Sequence, residues 1–197
     1  EYDEAVFLDA ARNVQRIGLP LRSAGALGAP LLEHTPLYAF LLGLYAPPTG
    51  ESLLLPRGVT VLAALLCLFL TYRIAAVIGG RRAGVLAVAL AAVNPFLAVY
   101  AYFVRMEMFM VAAMLVALYL LIRRQTPRPL DYLGAGLALA VATLFKEFAL
   151  VLILPAAVFA WATGGKSRRE RTGALLAVAA PPLLALAGWA LWANALW

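Results

Sequence analysis

One cysteine and one histidine are all that 197 residues provide. Cys67 has no partner within the chain for a disulfide, and a cluster of Cys and His at metal-ligand spacing is excluded. Neither HExxH nor GxxxxGK[ST] occurs, so zinc-peptidase chemistry and P-loop nucleotide hydrolysis have no support. Charge is scarce too: charged residues make up 13% of the chain, where about a quarter is usual in a soluble domain. Apolar residues are abundant, at 64% with a mean hydropathy of +0.89. No soluble core hides that much apolar surface, so the solvent of this chain is lipid. The expected fold class is all-α, a polytopic transmembrane helical bundle. No signal peptide is visible. The chain opens on Glu1 without an initiator Met and stops at Trp197 inside an apolar stretch. It is expected to be a fragment, incomplete at both ends, with a helix before it and further helices after it.

The net charge is +6 and the isoelectric point about 9.8. A basic balance can signal nucleic acid, but here the excess belongs to short inter-helix loops. No nucleic-acid partner is expected.

Two regions are expected: residues 1–51, a first external loop with interface helices, and residues 52–197, a bundle of about six spans. Tyr2 to Ile17 reads as an amphipathic helix. Val6, Phe7, Ala10, Ala11, Val14 and Ile17 share one face, and Asp9, Arg12, Asn13 and Arg16 the other. Gly18 and Pro20 end it. Too short and polar to span, it is expected to lie at the membrane interface. After a loop containing Gly25, Gly28 and Pro30, Thr35 is expected to cap a second short helix with Pro36 at its first position. Pro47, Pro48 and Gly50 close the region. Six apolar stretches follow, at about 58–78, 83–103, 108–122, 130–145, 148–163 and 173–192. A spanning helix needs about 20 residues, and the third, fourth and fifth stretches are short for that. Either their ends extend through flanking charges or the bilayer thins around them.

The loops alternate in charge. Arg73, Arg81, Arg82, Arg123, Arg124, Arg128, Lys166, Arg168, Arg169 and Arg171 fall at every second helix end, accompanied only by Asp131 and Glu170. The other eight of the ten acidic residues fall at the opposite ends. Short basic loops stay in the cytoplasm, so the acidic ends are expected outside. Asp3-Glu4, Glu33-His34, Arg105-x-Glu107 and Lys146-Glu147 all belong to that side. A charge at mid-bilayer costs roughly 2.5–3.5 kcal/mol on insertion scales. Charges in two tight turns are tolerable if they line a wet or mutually paired cavity. Each feature also has a plainer account: ion pairs pinning helix ends, Asp3-Glu4 favouring a helix dipole, His34 at a surface, Arg57 as an interface anchor. Their gathering on one side weighs for a site.

Tyr2-Asp3-Glu4-Ala5, a loop, then Glu33-His34-Thr35-Pro36-Leu37 resembles the start of the GT-C membrane glycosyltransferases that use polyprenyl-phosphate sugars. Among these, the likeness is to the family of dolichyl-phosphate-mannose–protein mannosyltransferases and lipid A aminoarabinose transferases. It continues through Pro56-Arg57, Gly79-Gly80-Arg81-Arg82-Ala83-Gly84, Asn94-Pro95-Phe96, Arg105-Met106-Glu107 and Leu144-Phe145-Lys146-Glu147, covering about residues 2–163. The resemblance implies a catalytic acid at Asp3 with Glu4 beside it, and a second acidic position at Glu107, where the family usually has Asp. It implies a basic residue at Lys146. The family's Lys or His before a Pro pair is matched by His34, with one proline missing. Arg105, Arg57, His34 and Lys146 are the candidates for holding the donor phosphate.

The chemistry implied is inverting sugar transfer, hexosyl or pentosyl, to a hydroxyl or amine of a glycan, lipid or protein acceptor. A carboxylate takes the acceptor proton, and cations stabilise the departing lipid phosphate. The expected place is the cell membrane, multi-pass, with the site on the extracytoplasmic side. No cofactor is required by these residues; a divalent cation bridging Asp3, Glu107 and the phosphate stays open. The alternatives are a transporter or lipid flippase, which should show broken helices, mid-span charges and often a repeat, and a scaffold subunit without activity.

Overall fold

The computed structural model describes residues 2–21, 35–47 and 52–195, without the side chains of Tyr2 and Asp3. Of the sequence's candidates, Glu33, His34 and the side chain of Asp3 therefore lie outside the described residues. Among the described residues the regular structure is helical, with no sheet: α1 Tyr2–Ile17, α2 Leu37–Tyr45, α3 Leu54–Ala92, α4 Pro95–Tyr102, α5 Glu107–Ile122, α6 Pro129–Phe145, a 3₁₀ helix Glu147–Leu152, α7 Ile153–Thr163 and α8 Arg168–Ala195.

α1 runs over the expected residues. Gly18, at φ +75°, ends it, and its N–H reaches the Val14 carbonyl at 2.9 Å; this left-handed position suits glycine. Phe7, Leu8, Ala10 and Ala11 are buried, but Ile17 turns outward. α2 starts one residue later than expected. Pro36 is its N-cap, because the Pro36 carbonyl accepts the first helical bond, from Phe40 N–H at 3.2 Å. That leaves Thr35 one position too early to cap, and its buried hydroxyl has no hydrogen-bond partner among the described residues.

α3 is a hairpin. Gly80 has φ +77° and ψ 179°, outside helical space. A Cβ on Gly84 would lie 2.9 Å from the Tyr72 carbonyl oxygen. In a straight helix 12 residues apart means roughly 18 Å, so the arms 54–79 and 81–92 run back beside each other with Arg81 and Arg82 at the tip. The second apolar stretch is then broken at Asn94-Pro95. Asn94 is extended, its side chain accepts the Phe96 N–H at 2.9 Å, and Pro95 opens α4, where its missing N–H costs nothing. α4 meets α5 at a bend of 118°. Two helices, α3 and α8, are long and apolar enough to cross a membrane, or up to three if α4 and α5 form one broken span. α6 and the 3₁₀-plus-α7 segment are shorter apolar helices.

α6 packs between α5 and α8, and α7 against α8. Leu62, Leu86, Leu90, Leu154, Leu184 and Leu191 point outward. In water such exposure would invite aggregation; against lipid chains it is the surface required. The α6–α8 seam closes at Gly136, where an added Cβ would lie 2.1 Å from the Ala177 carbonyl oxygen. Helices in lipid gain by close contact at small residues. Gly136→Ala should therefore force α6 and α8 apart and lower the melting temperature in detergent, while Gly188→Ala, where an added Cβ meets nothing within 4 Å, should be neutral.

Candidate functional site

The bundle carries one ionic cluster at each end. α5 connects them, with Glu107 opening it and Arg123 following it; its 16 residues span roughly 24 Å at 1.5 Å per residue.

At the arginine end, the buried Asp131 carboxylate accepts from the Arg123 guanidinium and, at 2.8 Å, from the Arg128 backbone N–H, with Arg124 Nε 3.7 Å away. Glu170 accepts the backbone N–H groups of Lys166 and Ser167 at 3.0 and 3.1 Å. Both acids of this end thus order its loops.

The opposite end is built from five elements. Glu4 on α1 is 5% exposed. Its two oxygens take Arg57 Nε at 3.2 Å and Nη2 at 3.1 Å, and Oε1 also takes the Val104 N–H at 3.2 Å. Burial pushes the Glu4 carboxyl up, but the Arg57 hydrogen bonds, the Val104 N–H and the Arg57 charge together leave it below the ordinary value. Arg57 spends its remaining arm on the Tyr102 hydroxyl at 3.2 Å, with its guanidinium 4.7 Å from that ring. Glu4 and Arg57 therefore tie α1 to both ends of the α3–α4 hairpin.

Beside them, Lys146 Nζ donates to Glu107 Oε1 at 2.9 Å, and Arg105 Nε lies 3.9 Å from Glu107 Oε2. Lys146 also sits 5.6 Å from the Phe148 ring, and Arg105 5.2 Å from that of Tyr100. The start of α5 and the end of α6 thus bring together three residues proposed from the sequence: Arg105, Glu107 and Lys146. Glu4 and Arg57 form a separate pair, joined to the first through the Val104–Arg105 turn.

Sequence reading missed an aromatic ladder that runs under both pairs. Phe7 meets Tyr38 edge-on at 5.1 Å, Tyr38 meets Phe109 at 5.5 Å, and Phe109 meets Phe145 at 5.5 Å. Phe109 follows Glu107 by two residues and Phe145 precedes Lys146, so the ladder sets where both charges stand. The only sequence signal was the nearness of these rings to the charged motifs. Below it, a groove of ≈ 410 Å³ opens between α3 and α5, lined by Val59, Leu62, Ala63, Leu66, Phe109, Ala112, Ala113, Val116 and Phe145. It is apolar throughout, and Phe109 and Phe145 bring it up to the Glu107–Lys146 pair. Among the described residues no three Asp, Glu, His or Cys side chains come together as a metal cradle.

The family described as dolichyl-phosphate-mannose-protein mannosyltransferase matches residues 33–192, well over half of the 197-residue chain. The match begins after α1, so it includes Arg57, Arg105, Glu107 and Lys146 but not Asp3 or Glu4. No curated protein and no solved structure matches the chain.

Proposed function

The chain belongs to the dolichyl-phosphate-mannose-protein mannosyltransferase family and is a membrane glycosyltransferase, and we propose that it takes its sugar from a polyprenyl phosphate and transfers it at the extracytoplasmic face. The observation that carries this reading is the shape of the site. An apolar groove between α3 and α5 is lined by Phe109 and Phe145, near neighbours in sequence of Glu107 and Lys146, where one carboxylate and two cations meet. A lipid-linked sugar phosphate has the same division into a greasy chain and a charged head. The polyprenyl tail lies along the groove, and the phosphate meets Lys146 and Arg105. Lys146 has three donors and spends one on Glu107, so it keeps capacity for the phosphate.

The reaction needs a base, a leaving group and separation from bulk water. Asp3, in the first turn of α1, removes the acceptor proton. The acceptor oxygen or nitrogen attacks the anomeric carbon from the face opposite the phosphate, the carbon–oxygen bond to phosphate breaks, and its electron pair leaves with the lipid phosphate. Lys146 and Arg105 stabilise that charge as it develops. Glu107 aligns Lys146. Glu4 and Arg57, already bound to each other, hold α1 in place and take no part in proton transfer. α3, α5, α6, the 3₁₀–α7 segment and α8 carry their charged residues at alternating ends. Glu4, Glu107 and Lys146 then share one face, with Arg81, Arg123 and Arg168 on the cytoplasmic face.

The test is sugar transfer by the full-length protein in liposomes, with dolichyl-phosphate-mannose as donor and a water-soluble nucleotide sugar as control. Transfer from the lipid-linked sugar alone is expected; use of the nucleotide sugar without lipid overturns the reading. For sidedness, a cysteine replacing Gln125 should resist an impermeant thiol reagent in intact cells, and labelling there would reverse the topology.

A further inference from the structure

Several cations at the arginine end are already engaged. Arg73 donates to the Tyr119 hydroxyl in the last turn of α5, Arg123 and Arg124 face the Asp131 carboxylate, and Arg171 Nε donates to the Gly165 carbonyl at 3.0 Å. Arg81 and Arg82 differ from these. Both are exposed at the tip of the α3 hairpin, which the Arg73–Tyr119 contact holds at this end. Among the described residues no carboxylate lies within ion-pair distance of either.

The same two arginines line an open cavity of ≈ 380 Å³ whose other walls are Val85 and Leu86. The spacing explains the arrangement. Gly80 reverses the chain, and Arg81 with Val85, and Arg82 with Leu86, are then pairs four apart, which share one side of a helix. Val85 and Leu86 point outward, and Leu90 carries the same side on by another turn. One concavity thus joins two guanidinium groups to an aliphatic strip.

That combination selects its ligand by chemistry. Adjacent guanidinium groups match the oxygens of a phosphate in bidentate geometry. The aliphatic wall adds nothing for a bare anion, but it suits a hydrocarbon chain attached to one. α3 is long and apolar enough to cross a membrane, so its charged tip meets the layer where phospholipid phosphates lie. A zwitterionic headgroup brings its own cation, which two arginines repel. The other cavity of this end, ≈ 340 Å³ beside Pro127 and Tyr132, carries Glu170 in its wall and would repel an anion.

We propose that the tip of the α3 hairpin binds an anionic phospholipid, with the phosphodiester on Arg81 and Arg82 and an acyl chain along Val85 and Leu86. The site is separate from the Glu107–Lys146 cluster and independent of the sugar donor.

The test titrates lipid into the full-length protein in detergent and follows the melting temperature. Phosphatidylglycerol should raise it saturably, and phosphatidylcholine or inorganic phosphate at equal concentration should not. In the double variant Arg81→Gln with Arg82→Gln, apparent affinity for phosphatidylglycerol should fall about 30-fold, the scale of two basic residues at an anionic membrane surface. Its melting temperature without lipid should match wild type, because both side chains are exposed. Arg168→Gln with Arg169→Gln removes the same charge from exposed positions at the same end and should keep wild-type affinity. Native mass spectrometry should count one phosphatidylglycerol fewer on the Arg81, Arg82 variant than on wild type. An equal loss of affinity in both double variants would mean diffuse attraction and overturns the site. A shift of the same size with inorganic phosphate or with phosphatidylcholine overturns the anionic lipid as its ligand, and so does a wild type that phosphatidylglycerol leaves unshifted.

Discussion

Asp3→Asn is expected to slow sugar transfer by about 100-fold or more, the usual scale of general-base catalysis. Asparagine keeps the size of the side chain and favours a helix start nearly as well as aspartate, so α1 should form normally and the melting temperature should stay at the wild-type value. The neighbouring acid is a poor candidate for the base. Both Glu4 oxygens are occupied, by Arg57 and by the Val104 N–H, and this leaves the carboxyl below its ordinary value, a weak proton acceptor. Glu107→Gln should also lose activity, because Lys146 would lose its anionic partner and with it its position at the donor phosphate. Turnover measured with dolichyl-phosphate-mannose decides the matter. A fully active Asp3→Asn enzyme would limit Asp3 to the helix start and move the base elsewhere.

The largest stability effect is expected at Arg57. Arg57→Met takes from the buried Glu4 carboxylate the guanidinium that binds both of its oxygens. Removing one partner of a buried ion pair costs about 3–5 kcal/mol. The pH dependence should change sign as well. In the wild type the folded Glu4 is below its ordinary value. Its contribution is thus complete above the unfolded value of about 4.3 and fades as pH falls through the lower folded value. In Arg57→Met the burial that pushes the carboxyl up loses its main opponent, and the folded value rises. A raised acid contributes most at low pH and loses that contribution as pH rises. The variant should then melt higher at about pH 4 than at about pH 7 relative to wild type. Equal melting profiles would show that the pair holds nothing. The double variant Glu4→Gln with Arg57→Met should recover part of the loss, because the two sites share one interaction.

Legibility followed the physics of each signal. α1 could be read because a period of 3.6 residues and a terminal glycine are local features. The alternation of basic and acidic helix ends was legible for the same reason, and it placed Glu107 and Lys146 on one side although 39 residues separate them. Thr35 was read one residue wrong, since Pro36 can stand at the N-cap as well as inside the helix, and only the Phe40 N–H to Pro36 carbonyl bond decides between them. The Asn94-Pro95 pair breaks the second apolar stretch, and hydropathy averaged over that stretch does not reveal the break. Glu4 and Arg57 were both recognised as candidates, but nothing in the order of residues said that they bind each other.

The sequence by itself determined an all-α chain for a lipid solvent, the α1 amphipathic helix, and the set of charges that share one end. These rest on composition and short periods, which are properties of neighbours along the chain. The tertiary structure alone decided which charges pair, which carboxylate is occupied, how close α6 comes to α8 at Gly136, and that Tyr38 lies in an aromatic ladder between Phe7 and Phe109. Those depend on contacts between helices distant in sequence, where a rotation of one helix by a single residue, about 100°, would exchange one partner for another.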